Sequence, residues 1–273
     1  MIPLEPVTQT FQLASVDPGS TPGMSSRSLA QKELALNQLE LSDLQERLYA
    51  ESKMGGLRSV LLVLQAMDTA GKGGIIRHVV GEVDPQGIHL HAFKAPTDEE
   101  KKHDFLWRVR AQLPGAGLIG VFDRSHYEDV LIHRVHGWST PEVIEERYGL
   151  ITEFEQEAAE AGTAILKVML NISFVEQKAR LQARLDKPEK NWKFNPTDVD
   201  ERAHWAAYME AYQIAMTRTS TADAPWYVVP ADHKWYARWA VQHLLLDTLR
   251  GLDPQWPKPD YDVDEQKARL AGT

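Results

Sequence analysis

Two carboxylates, one lysine and a set of arginines hold most of the chemistry this sequence can offer. The first group lies in Ala66-Met67-Asp68-Thr69-Ala70-Gly71-Lys72-Gly73-Gly74. An apolar run, 60–64, precedes it and a helix-like segment, 75–80, follows it. Strand, small-residue loop and helix in that order suit a phosphate-binding loop. Ala70, Gly71, Gly73 and Gly74 let backbone N–H groups approach phosphate oxygens, and Lys72 reaches the phosphates. The loop departs twice from G-x-x-x-x-G-K-[ST]: Ala66 stands at the first glycine, and Gly73 replaces the hydroxyl residue that holds Mg²⁺. Mg²⁺ must then take its oxygens elsewhere, and Asp68 is the substitute. An acid beside a bare polyanion is repelled unless a cation sits between them, so Asp68 reads as a metal ligand or a base.

Asp123-Arg124 is the second group, placed where a buried apolar run, 117–122, ends. An acid at the carboxyl end of such a strand faces the crevice where ligands bind in open α/β sheets, and in phosphate-loop enzymes it serves Mg²⁺. Two acids and a lysine around a metal suit in-line phosphoryl transfer, in which the protein positions groups and stabilises charge. A third group is the basic run Lys178, Arg180, Arg184, Lys187, Lys190 and Lys193. Arg180 and Arg184 share a helix face, and the run reads either as a lid over phosphates or as a solvated helix face. The histidine pairs His89/His91 and His133/His136 lack a carboxylate or cysteine framework and read as surface or core residues.

These groups need elements to position them. Apolar strands are expected at 60–64, 88–93, 117–122, 164–170 and 226–229, with helices over 28–52, 97–113, 128–136, 140–161, 173–185, 197–217 and 234–249. Strands separated by helices mean an α/β fold, a five-stranded parallel sheet with helices on both faces. Residues 1–27, rich in Pro, Ser, Thr and Gly, read as a flexible arm, 28–250 as a single domain with a lid at about 180–205, and 251–273 as a C-terminal tail. Leu34, Leu41, Leu44 and Leu48 give the first helix a face to lay on the domain or on a second copy, so a homo-oligomer, dimer or tetramer, is expected.

Composition removes several classes. The 273 residues contain no cysteine, which excludes disulfides and thiolate metal sites and suits a reducing compartment. A formal net charge of −9 argues against a general nucleic-acid binder, though a local basic groove can still take a polyanion. No apolar run approaches the roughly 20 residues of a membrane span, and no signal peptide is visible, so a cytoplasmic location is expected.

Over residues 55–250 the sequence resembles the family-2 polyphosphate kinases. The matching pieces are residues 67–74, the run Asp123-Arg124-Ser125-His126-Tyr127-Glu128-Asp129-Val130, Trp192-Lys193-Phe194, Asp200-Glu201-Arg202 with Trp205 and Tyr208, and Thr219-Ser220-Thr221 followed by Ala224-Pro225-Trp226 and Val229-Pro230-Ala231-Asp232. The resemblance implies a P-loop kinase-like fold with a helical lid and transfer between inorganic polyphosphate and a nucleoside mono- or diphosphate, dependent on Mg²⁺ or Mn²⁺. It implies that Asp68 and Asp123 hold metal and nucleotide phosphates, and that Lys72, Arg124 and a lid arginine, Arg184 with Arg180 close behind, stabilise the transferring group. Lys94 and other basic residues would line a polyphosphate channel. The Ser-His-Tyr-Glu-Asp run looks like the third class, which acts on AMP and ADP. Aspartate at 123, where that class often carries asparagine, leaves the acceptor range open. The remaining readings are an ATP-dependent nucleoside or nucleotide kinase of the same fold and a non-catalytic nucleotide or polyphosphate sensor.

Overall fold

The structure is a computed structural model and describes residues 4–273. Helix α1 (Arg27–Lys53) leads into strand β1 (Ser59–Ala66) and helix α2 (Lys72–His78). Then follow β2 (Ile88–Ala92), α3 (Trp107–Arg110), β3 (Ile119–Asp123), α4 (Ile132–Val135), α5 (Pro141–Glu160) and β4 (Thr163–Asn171). Helices α6 (Phe174–Leu185), α7 (Thr197–Glu201) and α8 (Trp205–Thr219) precede β5 (Trp226–Pro230), α9 (Lys234–Leu252) and α10 (Val263–Ala271). The five strands form one parallel sheet in the order β2-β3-β1-β4-β5. This is the expected α/β architecture. Every residue of β1 is buried, which is why its sequence is a continuous apolar run rather than an alternating one.

Chain direction across the sheet changes at β1, and ligands of open parallel sheets bind beyond the carboxyl ends of the strands at such a point. Leu64 of β1 pairs in register with Asp123 of β3, so the loops after these two strands are neighbours. Helix α1 lies on α9 through Leu41, Leu44 and Leu48, with Trp239 Nε1 donating to Glu33 (2.7 Å) and Gln242 to the Leu34 carbonyl (3.0 Å). Its other face leaves Leu36 and Leu39 exposed.

Four expectations need correction. The arm, over its described residues 4–26, is not loose: Val7, Leu13 and Met24 are buried, and the Val7 N–H donates to the Trp226 carbonyl (2.8 Å), covering the β5 edge. The helix expected over 97–113 is broken. Thr97 and Glu100 cap each other, but the Asp104 carboxylate then accepts from the Leu106 N–H and starts a separate turn. The helix expected over 197–217 is interrupted by a 3₁₀ turn, Arg202–His204. The C-terminal tail, for which no element was assigned, contains α10, capped by Asp262. Among the described residues no helix is long and apolar enough to cross a membrane.

Candidate active site

The loop between β1 and α2 is built on backbone conformations that side chains rarely adopt. Gly71 caps α2 at φ +129°, open to glycine and strained for other residues, and Thr69 is left-handed at φ +67°. Arg124, in the loop after β3, is also left-handed at φ +64°. Each non-glycine residue held this way costs about 1–2 kcal/mol, and such strain concentrates at functional sites.

The two loops bring four of the expected residues together. Arg124 Nη2 lies 2.9 Å from Asp68 Oδ1. Lys72 folds back over its own loop, Nζ 3.3 Å from the Ala66 carbonyl and 3.9 Å from Asp123 Oδ1. Both carboxylates thus already face a cation, which is how acids can be kept beside a polyanion. They open onto a cleft of about 600 Å³ that also takes in Ala70, Gly71, Gly73, Gly74, Arg184 and Lys193. Nine Lys or Arg side chains line it against two carboxylates, so the cleft is strongly cationic in a chain of net charge −9. That field is visible in Lys234, whose pKa is lowered by burial and by the charges of Arg180, Lys190 and Arg238. His78 is pushed down likewise, by burial and then by Arg238 and Arg77.

Of the expected phosphate ligands, Arg180 lines the cleft with its guanidinium already engaged, and Lys94 lies outside it. Arg180 is buried, and its guanidinium is occupied by protein acceptors. Nε donates to Glu176 (2.7 Å), Nη1 to the carbonyls of Thr69 (3.1 Å) and Ala70 (2.7 Å), and Nη2 to those of Ala231 (2.6 Å) and Asp232 (2.8 Å). It is a strut under the loop. Because C=O and N–H point opposite ways across a trans peptide, drawing these carbonyls back turns the following amides outward. Lys94 is exposed and outside the cleft; its carbonyl accepts from Arg108 (2.8 Å).

Arg184 is positioned by the lid. Its Nη1 donates to the Lys193 carbonyl (2.8 Å) and to Asp198 Oδ2 (3.2 Å). Trp192 is 78% exposed, which removes it from the walls of the site. On the other side of Asp68 and Arg124 is a second hollow of about 180 Å³, lined by Glu128, Asn195, Asp198, Glu201, Tyr208 and Tyr212 above Met67, Leu131 and Ile132. Burial raises the Glu128 carboxyl despite the opposing charges of Arg124 and Lys72. Burial and the Asp68 charge raise Asp198.

Several residues here carried no assigned role in the sequence reading. Gln177, buried on α6, donates to the Asp68 carbonyl (3.2 Å) and accepts from Arg202. Glu128 and Asp198 shape the smaller hollow; Lys234 and Arg238 extend the cationic wall from α9. The last two stand four apart at the start of a helix, a basic pair that sequence inspection could have found.

Asp68 and Asp123 fit a hard divalent cation: their donors are carboxylate oxygens. Among the described residues, no group of three or more His, Cys, Asp or Glu that could hold a metal is formed. Two carboxylates completed by water and substrate phosphate are a usual coordination for Mg²⁺.

Known proteins resemble this chain over most of its length. The family model described as polyphosphate kinase 2 matches residues 24–257. The AMP/ADP-polyphosphate phosphotransferase of Meiothermus ruber is 47% identical over 251 residues, 92% of each chain. The ADP-polyphosphate phosphotransferase of Rhodopseudomonas palustris is 44% identical, covering 83% of this chain and 81% of that one. The crystal structure of polyphosphate kinase 2 from Arthrobacter aurescens TC1 superposes with a TM-score of 0.96 at 58% identity, covering 98% of this chain and 95% of that one.

Proposed function

The chain belongs to the polyphosphate kinase 2 family, and from that premise we propose that it transfers phosphoryl groups between inorganic polyphosphate and a nucleotide, with AMP and ADP as acceptors. The observation that carries this assignment is the sharing of Asp68 and Arg124 by two unlike chambers. The larger is cationic and roomy enough for several phosphates. The smaller, with four carboxylates against one arginine and with two tyrosines, repels phosphate but suits a nucleoside, which is neutral and offers hydrogen-bond donors and a face for stacking.

Transfer then takes place where the chambers meet. A terminal phosphate oxygen of the nucleotide attacks the terminal phosphorus of polyphosphate. A P–O bond forms, the P–O bond to the rest of the chain breaks, and polyphosphate leaves one unit shorter. Lys72 and Arg124 neutralise the oxygens of the transferring group, and Arg184, steadied by Asp198, adds a third cation from the lid. Asp68 and Asp123 would hold Mg²⁺ or Mn²⁺, which when bound would draw charge from the phosphate oxygens. Arg180 and Gln177 keep the Asp68 loop in shape.

The absence of cysteine and the substrate class fit a cytoplasmic enzyme, and the exposed Leu36 and Leu39 on α1 fit a homo-oligomer, dimer or tetramer. One assay tests the function: purified protein with Mg²⁺ should make ADP from AMP, and ATP from ADP, with polyphosphate as donor. Turnover with ATP as donor and none with polyphosphate would assign it instead as an ATP-dependent kinase. Binding without turnover would make it a sensor.

A further inference from the structure

Beneath the Asp123–Arg124 loop lies a charged pair that the chemistry above does not use. Lys167, in the middle of β4, is fully buried, and Glu155 of α5 is 2% exposed. The neighbours of Lys167 along the strand, Ile165, Leu166, Val168, Met169 and Leu170, are the apolar residues a central strand needs. All three Nζ donors of Lys167 are used, on Glu155 Oε2, the Tyr127 hydroxyl (2.9 Å) and the Thr219 carbonyl (2.8 Å). Glu155 Oε1 in turn meets the Tyr127 hydroxyl (2.9 Å) and His126 Nε2 (3.2 Å).

Stability alone is a poor reason for this arrangement. A buried ion pair replaced by well-packed apolar side chains commonly leaves a protein as stable or more so. What the pair holds is specific, namely the two residues that follow Arg124 and Ser125. Arg124 is left-handed, a conformation that persists only where the surroundings impose it. On its upstream side the Arg124 N–H donates to the Leu64 carbonyl (3.0 Å). From β1, the Gln65 amide, oriented to satisfy both its ends, accepts from the Ser125 N–H (3.1 Å) and donates to Glu128 (3.0 Å). Downstream, Glu155 and Lys167 grip His126 and Tyr127, whose hydroxyl also lies 2.8 Å from Thr219 Oγ1.

We propose that Glu155 and Lys167 are positioning residues for phosphoryl transfer: by fixing His126 and Tyr127 they impose the left-handed turn at Arg124 and so aim its guanidinium into the cleft. This rests on the reading of the site as a phosphotransferase centre, in which Arg124 acts on the transferring group.

Two double variants of equal charge and similar volume test it. E155Q/K167M keeps an acceptor for His126 and Tyr127, whereas E155L/K167M removes it. Both should remain folded in thermal melts, with E155L/K167M the lower of the two because it leaves buried polar atoms short of partners. With polyphosphate and ADP, E155Q/K167M should keep kcat within about threefold of the parent, and E155L/K167M should lose about tenfold or more with both KM values unchanged, the pattern of an interaction made in the transition state. Hydrogen exchange should show lost protection at 124–129 in E155L/K167M alone. Equal kcat in the two doubles, or equal exchange, overturns the proposal and leaves the pair a fold element. If either double fails to fold, Tyr127→Phe decides: kcat falling about threefold or more at constant KM supports the proposal, and unchanged kcat overturns it. Should the parent itself show no turnover with polyphosphate, the functional assignment fails, while the exchange comparison still judges the clamp.

Discussion

Arg124 and Asp68, from loops after neighbouring strands, form an ion pair at 2.9 Å in which both side chains remain about one-third exposed or more (40% and 31%). A pair this open contributes at most about 1 kcal/mol to the fold, because water screens it and two side chains must be held still. In the proposed transfer its partners would then exchange one another for substrate phosphate and metal at little cost. Asp68→Asn should leave the melting temperature within about 2–4 °C of the parent. It should nevertheless lower kcat by about 10²–10³-fold and raise the Mg²⁺ concentration needed for half-maximal rate. Thermal melts beside Mg²⁺ titrations of the rate check both halves; normal turnover in the variant would remove Asp68 from the site.

Arg180 yields the opposite pattern. Four backbone carbonyls from two segments converge on its guanidinium, and a lysine, with one nitrogen, cannot reach them all. Arg180→Lys should destabilise the protein by about 2–4 kcal/mol in denaturant titrations, from lost charge-assisted bonds and carbonyls left unsatisfied. Activity should fall through kcat as the loop loses its shape. A phosphate ligand would behave differently: the same substitution would keep stability and raise only the KM for polyphosphate.

Arg180 also shows where sequence reading runs out. It and Arg184 lie one helical turn apart on α6, so periodicity puts both at the cleft and cannot say which reaches it. The answer depends on carbonyls at 69, 70, 231 and 232, distant in sequence and brought together only by the sheet. What was legible was local: the apolar run of β1, the glycines and lysine after it, and an acid where β3 stops. Asp68 and Asp123 could be set side by side in advance because the two strand–helix units between them permit neighbouring strand ends. Lys234 and Arg238 were missed since a basic pair at a helix start has many ordinary explanations. Glu155 and Lys167 were missed because a charge inside an apolar element gives no sign of its partner. The single helix expected over 97–113 ignored Asp104, whose side chain captures a backbone N–H and begins a new turn.

Glu128 gives a stability test with a defined sign. Burial raises its folded pKa above the ordinary 4.5, so the folded protein prefers the protonated acid, and Arg124 and Lys72 offset only part of that penalty. Below pH 4.5 the group is protonated in both folded and unfolded states and no penalty exists. As pH rises through the raised folded value the penalty grows, and it is complete above that value. Glu128→Gln, which keeps a partner for the Gln65 amide, should therefore melt higher than the parent at pH 7, by about 2–4 °C for each kcal/mol relieved. The difference should shrink toward zero as pH is lowered past the carboxylate range. A stabilisation that persists undiminished in acid would mean the charge is not its source.

Lys234 offers the corresponding test for substrate binding. Burial lowers its pKa, and Arg180, Lys190 and Arg238 push in the same direction, against Glu176 alone. A base so placed loses its proton at a lower pH than an ordinary lysine, so its contact with polyphosphate should weaken as pH rises. Above about pH 8 the terminal phosphates, with pKa near 6, are fully ionised, and further change in KM reports the protein. The polyphosphate KM of the parent should climb through the alkaline range. Lys234→Met should start about fivefold higher at pH 8, as expected for a contact worth ~1 kcal/mol, and stay level. Lys234→Arg should start near the parent and also stay level, because a guanidinium keeps its proton throughout. If the arginine variant climbs as the parent does, the titrating group lies elsewhere in the cleft.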